Sequence, residues 1–126
     1  MAVTERDGET GPREEHFADG KLSASGEYNG GKKTGKWKYY FRNGKLKAAG
    51  EYAEGELAGH WEWYGESGTL KQTGGFESGQ QDGEWKRYHP NGELWDVGRY
   101  SSGKKTGEWK TYDKSGNLVR TKNIKA

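Results

Sequence analysis

The 126-residue chain has no cysteine, which excludes a disulfide framework and any thiolate metal site and leaves the redox compartment open. Leucine, isoleucine, valine and phenylalanine together number only 13, so few that composition taken alone points to disorder rather than a compact core. No apolar run is long enough to span a bilayer. The segment from Met1 to Glu15 is polar and lacks the apolar stretch of a secretion signal, so cytoplasmic residence is expected. Neither sign of charge dominates: 21 Lys and Arg stand against 19 Asp and Glu, interspersed, for a net charge of +2. That pattern leaves no electrostatic footprint for nucleic acid, and no nucleic-acid partner is expected.

What is abundant is glycine and aromatic residues, and they recur with a strict period of 24 over 27–50, 51–74, 75–98 and 99–122. Each unit has an aromatic at place 2, Gly at 5 and 9, Trp at 11, Tyr at 14, Gly at 18, Leu at 20 and, in the first three, Gly at 24. The tryptophans of the series are Trp37, Trp61, Trp85 and Trp109, and the tyrosines Tyr40, Tyr64, Tyr88 and Tyr112. A disordered chain would not hold such residues in register, and a fixed period marks a repeat architecture. A half repeat, 14–26, precedes the array with Gly20, Leu22 and Gly26 in phase. Residues 1–13 read as a flexible polar tail and 123–126 as a cap.

Each repeat carries two turn signals, Asn43-Gly44 and Glu54-Gly55 and their equivalents, and X-Gly pairs suit two-residue hairpin loops that need positive φ. The expected fold is all-β: one elongated, twisted antiparallel meander of about ten strands. Counting from two-residue loops, Trp37 faces Gly50, Phe41 faces Leu46 and Gly50 faces Gly59. One face then carries the Trp, the Leu, the place-2 aromatic and the glycines of places 9 and 24, and the other carries the place-14 Tyr. On this count Phe41, Leu46 and Trp63 form one row, and Tyr39, Ala48 and Trp61 the next. A bare Cα opposite each Trp leaves room for the indole to lie across the backbone. A bulge would shift this register.

The run Gly31-Lys32-Lys33-Thr34-Gly35-Lys36-Trp37-Lys38-Tyr39-Tyr40-Phe41-Arg42-Asn43-Gly44-Lys45-Leu46, with its three copies, resembles the MORN repeat in the bacterial variant found in YwqK-type antitoxin proteins. The resemblance implies a meander of hairpins with a binding role and no catalytic activity of its own. MORN arrays act as scaffolds and interaction modules, eukaryotic ones are linked to membrane lipids, and the bacterial variant is associated with neutralising a cognate toxin.

No catalytic pattern emerges. Gly30-Gly31-Lys32-Lys33-Thr34-Gly35-Lys36 approximates a phosphate-binding loop but ends at Trp37 where Ser or Thr should meet Mg²⁺, and a hairpin turn accounts for it. His16, His60 and His89 fall at three different places of the repeat, without metal-ligand spacing. No metal, cofactor or catalytic residue is expected. Places filled alike in every copy are explained by the hairpin, so the departures are the candidates for a partner surface: Tyr39, Trp63 and Arg87 at place 13, Phe41 and His89 at place 15, and Trp95 at place 21. Arg87 is expected to face Asp96 as a cross-strand ion pair, and Trp95 to face Tyr88 on the polar side. Trp, Tyr and Arg dominate interface energetics. The sequence reading is therefore a non-enzymatic, protein-binding module, monomeric by default with the oligomeric state left open, that neutralises a toxin domain by covering its active site; the alternative is a scaffold or membrane-surface-associated interaction protein. Because Glu and Asp lie among Lys32, Lys33, Lys104 and Lys105, co-sedimentation with anionic liposomes at physiological salt is expected to leave the protein in the supernatant.

Overall fold

The computed structural model describes residues 8–125; Met1 to Asp7 of the segment read as a tail, and Ala126 of the cap, lie outside the described residues. The chain forms β1 (Gly11–His16), β2 (Leu22–Asn29), β3 (Lys32–Tyr40), β4 (Leu46–Ala53), β5 (Glu56–Tyr64), β6 (Leu70–Glu77), β7 (Gln80–Tyr88), β8 (Leu94–Ser101), β9 (Lys104–Tyr112) and β10 (Leu118–Ile124). All ten lie in one antiparallel sheet in the order of the chain, with no helix among the described residues. β1 starts at Gly11, three residues inside the segment read as a tail. Its Arg13 stands at the Trp place, on the outermost of the described strands.

The two turns of the repeat differ. At Glu54-Gly55, φ is 50° and 86°, and Ser78-Gly79 and Ser102-Gly103 match it, the positive pair of a type I′ hairpin loop. The other turn is not the expected two-residue loop. The Gly44 N–H donates to the Phe41 carbonyl and the Phe41 N–H to the Lys45 carbonyl, each at 2.9 Å, which closes a three-residue loop with Gly44 at φ 88°. Gly65, His89 and Asp113 head the same loop in later repeats. Asn43 Oδ1 accepts the Lys45 N–H at 2.8 Å, while its Nδ2 donates to the Glu66 carbonyl at 3.0 Å, so one side chain shapes its own turn and ties it to the next.

Two irregularities per repeat correct the expected register. Tyr40 pairs with Leu46 but Tyr39 with Ala48, so Lys47 is an extra, bulged residue. The same step makes bulges of Lys71, Trp95 and Val119. Cross-strand partners share a face, so Leu46 lies with Tyr40 and not with the tryptophans, and Phe41 sits in the loop rather than opposite Leu46. Farther along, Ala49 pairs with Glu62 but Glu51 with Ala58, a slip of two residues at Gly59, whose φ is 64°. An even slip keeps the faces and changes the partners. Ala48 therefore meets Trp63, not Trp61.

The slip places each indole flat on the glycine that ends the preceding unit. A Cβ built on Gly50 would stand 2.0 Å from the Trp61 ring, and Gly26, Gly74 and Gly98 are covered alike by Trp37, Trp85 and Trp109. Trp61 Nε1 donates to the Glu51 carbonyl at 3.0 Å, as Trp37 does to Glu27 and Trp85 to Gly75, which satisfies the one polar atom that burial would strand. Trp37 and Trp61 are the largest fully buried side chains. Each such indole contributes roughly 4–6 kcal/mol of gross hydrophobic stabilisation. Place-2 aromatics wedge edge-on between them, as Tyr52 does at 5.3 Å from Trp61 and Phe76 at 5.2 Å from Trp85. The core is thus one aromatic layer on one side of one sheet. Trp109, in the last repeat, is the loosest of the four, with its buried Nε1 unpaired.

Two glycines separate the roles of space and conformation. Gly50→Ala is expected to cost about 3 kcal/mol or more, because its methyl displaces Trp61. Gly35→Ala, with φ 67° but nothing within 4 Å, is expected to cost about 1 kcal/mol of backbone strain. Urea unfolding of the two variants checks the order.

Candidate protein-binding surface

The corrected pairing draws one residue from every strand into a single row across the sheet: Glu15, Ala24, Tyr39, Ala48, Trp63, Gln72, Arg87, Asp96, Thr111 and Arg120. It runs along the tryptophan face and changes character midway. Three of the sequence-predicted residues, Tyr39, Trp63 and Arg87, lie in it, where the simple count puts Tyr39 and Trp63 in adjacent rows.

In the first half the row is aromatic. Tyr39 lies 6.1 Å from Trp37 and 6.3 Å from Trp61, and Trp63 stacks at 5.9 Å on Trp61 and 5.5 Å on Trp85. Trp37, Tyr39, Trp61, Trp63 and Trp85 form one continuous ladder. The Tyr39 and Tyr52 hydroxyls are 2.8 Å apart, and Lys33 Nζ donates to the Tyr39 oxygen at 3.0 Å while lying over the rings of Trp37, Tyr39 and Tyr52. Burial pushes both phenols up, and the hydrogen bond to Tyr39 pushes Tyr52 higher still, so both stay neutral. Tyr39 and Trp63 are therefore half-buried members of the core. Sequence reading missed Lys33, because its place in the repeat carries no signal until the slip brings it over the rings.

In the second half the ladder stops at Arg87. Its Nε and Nη2 grip Asp96 at 3.1 and 2.6 Å, the expected cross-strand pair in its bidentate form. Asp96 is buried while the Arg87 side chain is 46% exposed, so solvent screens much of the attraction. These bonds to Asp96 hold the guanidinium above its ordinary pKa. The outer face of Arg87 lies 4.0 Å above the Trp95 ring, and His89 stacks on the same indole at 5.1 Å. His89 is buried and its Nε2 donates to the Tyr112 carbonyl at 2.9 Å. Trp95 does not face Tyr88, whose partner is Leu94; it is the bulged residue, thrown outward and 38% exposed. Arg87, His89 and Trp95 thus form one cluster. Phe41 stands apart, in its loop, under Lys47 at 5.7 Å.

This arrangement has the means to bind, with an exposed indole held rigid by a cation and a second ring. Among the described residues no three of His, Asp and Glu come together as metal ligands, and no helix is long and apolar enough to cross a membrane. An open single-layer meander of tandem hairpins defines a repeat protein built for surface rather than interior. The MORN repeat variant family matches it four times in succession, over residues 33–54, 57–78, 81–104 and 105–126, and the chain belongs to that family. MORN repeats are generally protein-interaction modules, and the chain is a binding or scaffold module of that kind. No curated protein matches the chain. Among solved structures, a chain in the crystal structure of the GtfA/B complex bound to UDP and GlcNAc is similar at 14% identity and a TM-score of 0.38, over 90% of this chain and 24% of that one.

The two groups of predicted residues separate by stability. Trp63→Ala is expected to cost about 3 kcal/mol, because it opens the ladder between Trp61 and Trp85, and to abolish part of the exciton signal of the stacked indoles in far-UV circular dichroism. Trp95→Ala is expected to cost about 1 kcal/mol or less. Thermal melts followed at both signals compare them.

Proposed function

We propose that the protein is a non-enzymatic, cytoplasmic, monomeric antitoxin or immunity protein of bacterial type, which neutralises a cognate protein toxin by covering its active site. The observation that carries the choice of surface is Trp95. It is the exposed aromatic of the third repeat, set on a bulge and braced by Arg87 and His89. A side chain already held in place loses little rotamer freedom on binding, and such an anchor is the usual hot spot of a steric inhibitor. The stacked indoles of Trp61, Trp63 and Trp85 give the sheet stiffness without a second layer. The toxin reading itself rests on the resemblance of the repeat to YwqK-type antitoxins.

A membrane-surface scaffold has less support. Lys33 is occupied over three aromatic rings and Lys105 Nζ lies 4.7 Å over Trp109, which takes two of the four turn-proximal lysines away from a lipid headgroup.

The test is a toxicity rescue with the product of the adjacent gene, alongside a binding titration. The parent protein is expected to rescue growth, and Trp95→Ala to weaken binding by about 2 kcal/mol with the fold intact. Failure of every neighbouring gene product to bind, or full affinity in Trp95→Ala, overturns the assignment.

A further inference from the structure

Place 15 of the repeat heads each three-residue loop, and its side chains form a second row along one end of the strands: Phe17, Phe41, Gly65, His89 and Asp113. Two of them are seen to reach outward from their own hairpin. Phe17 lies under Arg42 of the next loop at 5.3 Å, and His89 crosses to the Tyr112 carbonyl of the following repeat. Translated back by one repeat, the seat of the His89 ring lies between Gly65 and Tyr88. No side chain fills it.

That seat is a recess of about 350 Å³, walled by Leu70, Tyr88, Pro90 and Trp95 and floored by Gly65. The emptiness is not imposed by the backbone: Gly65 has an ordinary negative-side conformation, and a Cβ there would meet only the Thr69 carbonyl at 3.9 Å. Its apolar surface comes from these walls, and Ser67, Thr69, Gln72 and His89 add polar groups to the lining. The rim carries Lys71 and Arg87, and no Asp or Glu lines it.

We propose that this vacancy at Gly65 is the seat for an aromatic side chain of a protein partner, with a carboxylate beside that ring lying against Lys71. The following repeat fills the equivalent seat with the His89 ring, so the shape suits a planar group. Trp95, Tyr88 and Pro90 line three of its sides, and an aromatic packs edge-on or stacked against such side chains. Arg87 is matched by Asp96, so the charge left to the rim is that of Lys71, which selects an acidic neighbour over a basic one. This deepens the reading of the Trp95 cluster as the partner-binding surface and rests on it, since Trp95 is both the exposed anchor of that surface and a wall of the seat.

The probe is N-acetyl-phenylalanine as the free acid, titrated into the full-length ¹⁵N-labelled protein. Shifts are expected to concentrate on the Gly65 and Leu70 amides and the Trp95 indole N–H. The carboxamide of the same compound is expected to bind about fivefold more weakly, the loss of one exposed ion pair. Gly65→Phe should fill the seat with its own ring and abolish the localised shifts while the rest of the spectrum stays unchanged. Should that variant misfold, Trp95→Ser is to lose the shifts in its place. Shifts scattered over the sheet, undiminished binding in a folded Gly65→Phe or in Trp95→Ser, or preferential binding of AMP, which would mark a nucleobase seat, each overturn the proposal. The fragment assay needs no toxin, so its failure leaves the antitoxin reading standing, and a failed rescue with fragment binding intact does the reverse.

Discussion

An indole lying flat on a glycine Cα is the contact on which the remainder of this structure depends. A single sheet has no opposing layer to bury its apolar face, and the usual solutions are a second sheet or a covering helix. Here the covering layer is supplied by the sheet itself. Removal of one Cβ per repeat lets a nine-atom ring system settle against the backbone, and the slip at the positive-φ glycine delivers the ring to that spot. The hydrogen bond from Trp61 Nε1 to the Glu51 carbonyl then satisfies the one polar atom of the buried ring.

Because each indole covers the preceding unit, stability runs along the array as a chain of nearest-neighbour contacts. The edge-on aromatics of place 2 and the Asn43 and Asn91 bonds to the following turns, at 3.0 and 2.9 Å, add to the same coupling. In the two outermost described strands the motif changes: Lys122 stands at the place of the covered glycine, and Arg13 at the place of the Trp. Both edges of the sheet thus carry a cation where the interior carries the core motif, which also discourages strand addition.

The repeat leaves few places free, and the free ones are divided between packing and recognition. Aromatic residues at place 13 extend the core in the first half, whereas Arg87 ends it and opens a surface. Place 21 is free because it is the bulge, a residue without a cross-strand partner whose side chain is thrown clear of the sheet. Place 15 is free because it heads a loop. It is at the bulge and the loop head, not at the skeleton positions, that Trp95, His89 and the gap at Gly65 arise.

The sequence by itself determined the ten-strand meander, the positions of both turns and the role of glycine beneath tryptophan, because these follow from a period of 24 and from turn chemistry that local backbone sterics dictate. It also placed Arg87 against Asp96. The resemblance of its repeat to MORN proteins agrees with the family to which the chain belongs. What only the tertiary structure decided was register: a three-residue loop in place of a two-residue one, a bulge at place 21 and a slip of two at place 9. Each adds or removes a residue that no hydrophobic pattern marks, since an even slip preserves which face every side chain takes. The slip moved Trp63 out of the row of Phe41 and Leu46 into that of Tyr39 and Ala48, and the bulge took Trp95 away from Tyr88 and set it on His89. Which departures from the repeat are core and which are surface was therefore decided by backbone hydrogen bonding between strands, a quantity that residue identity alone does not encode.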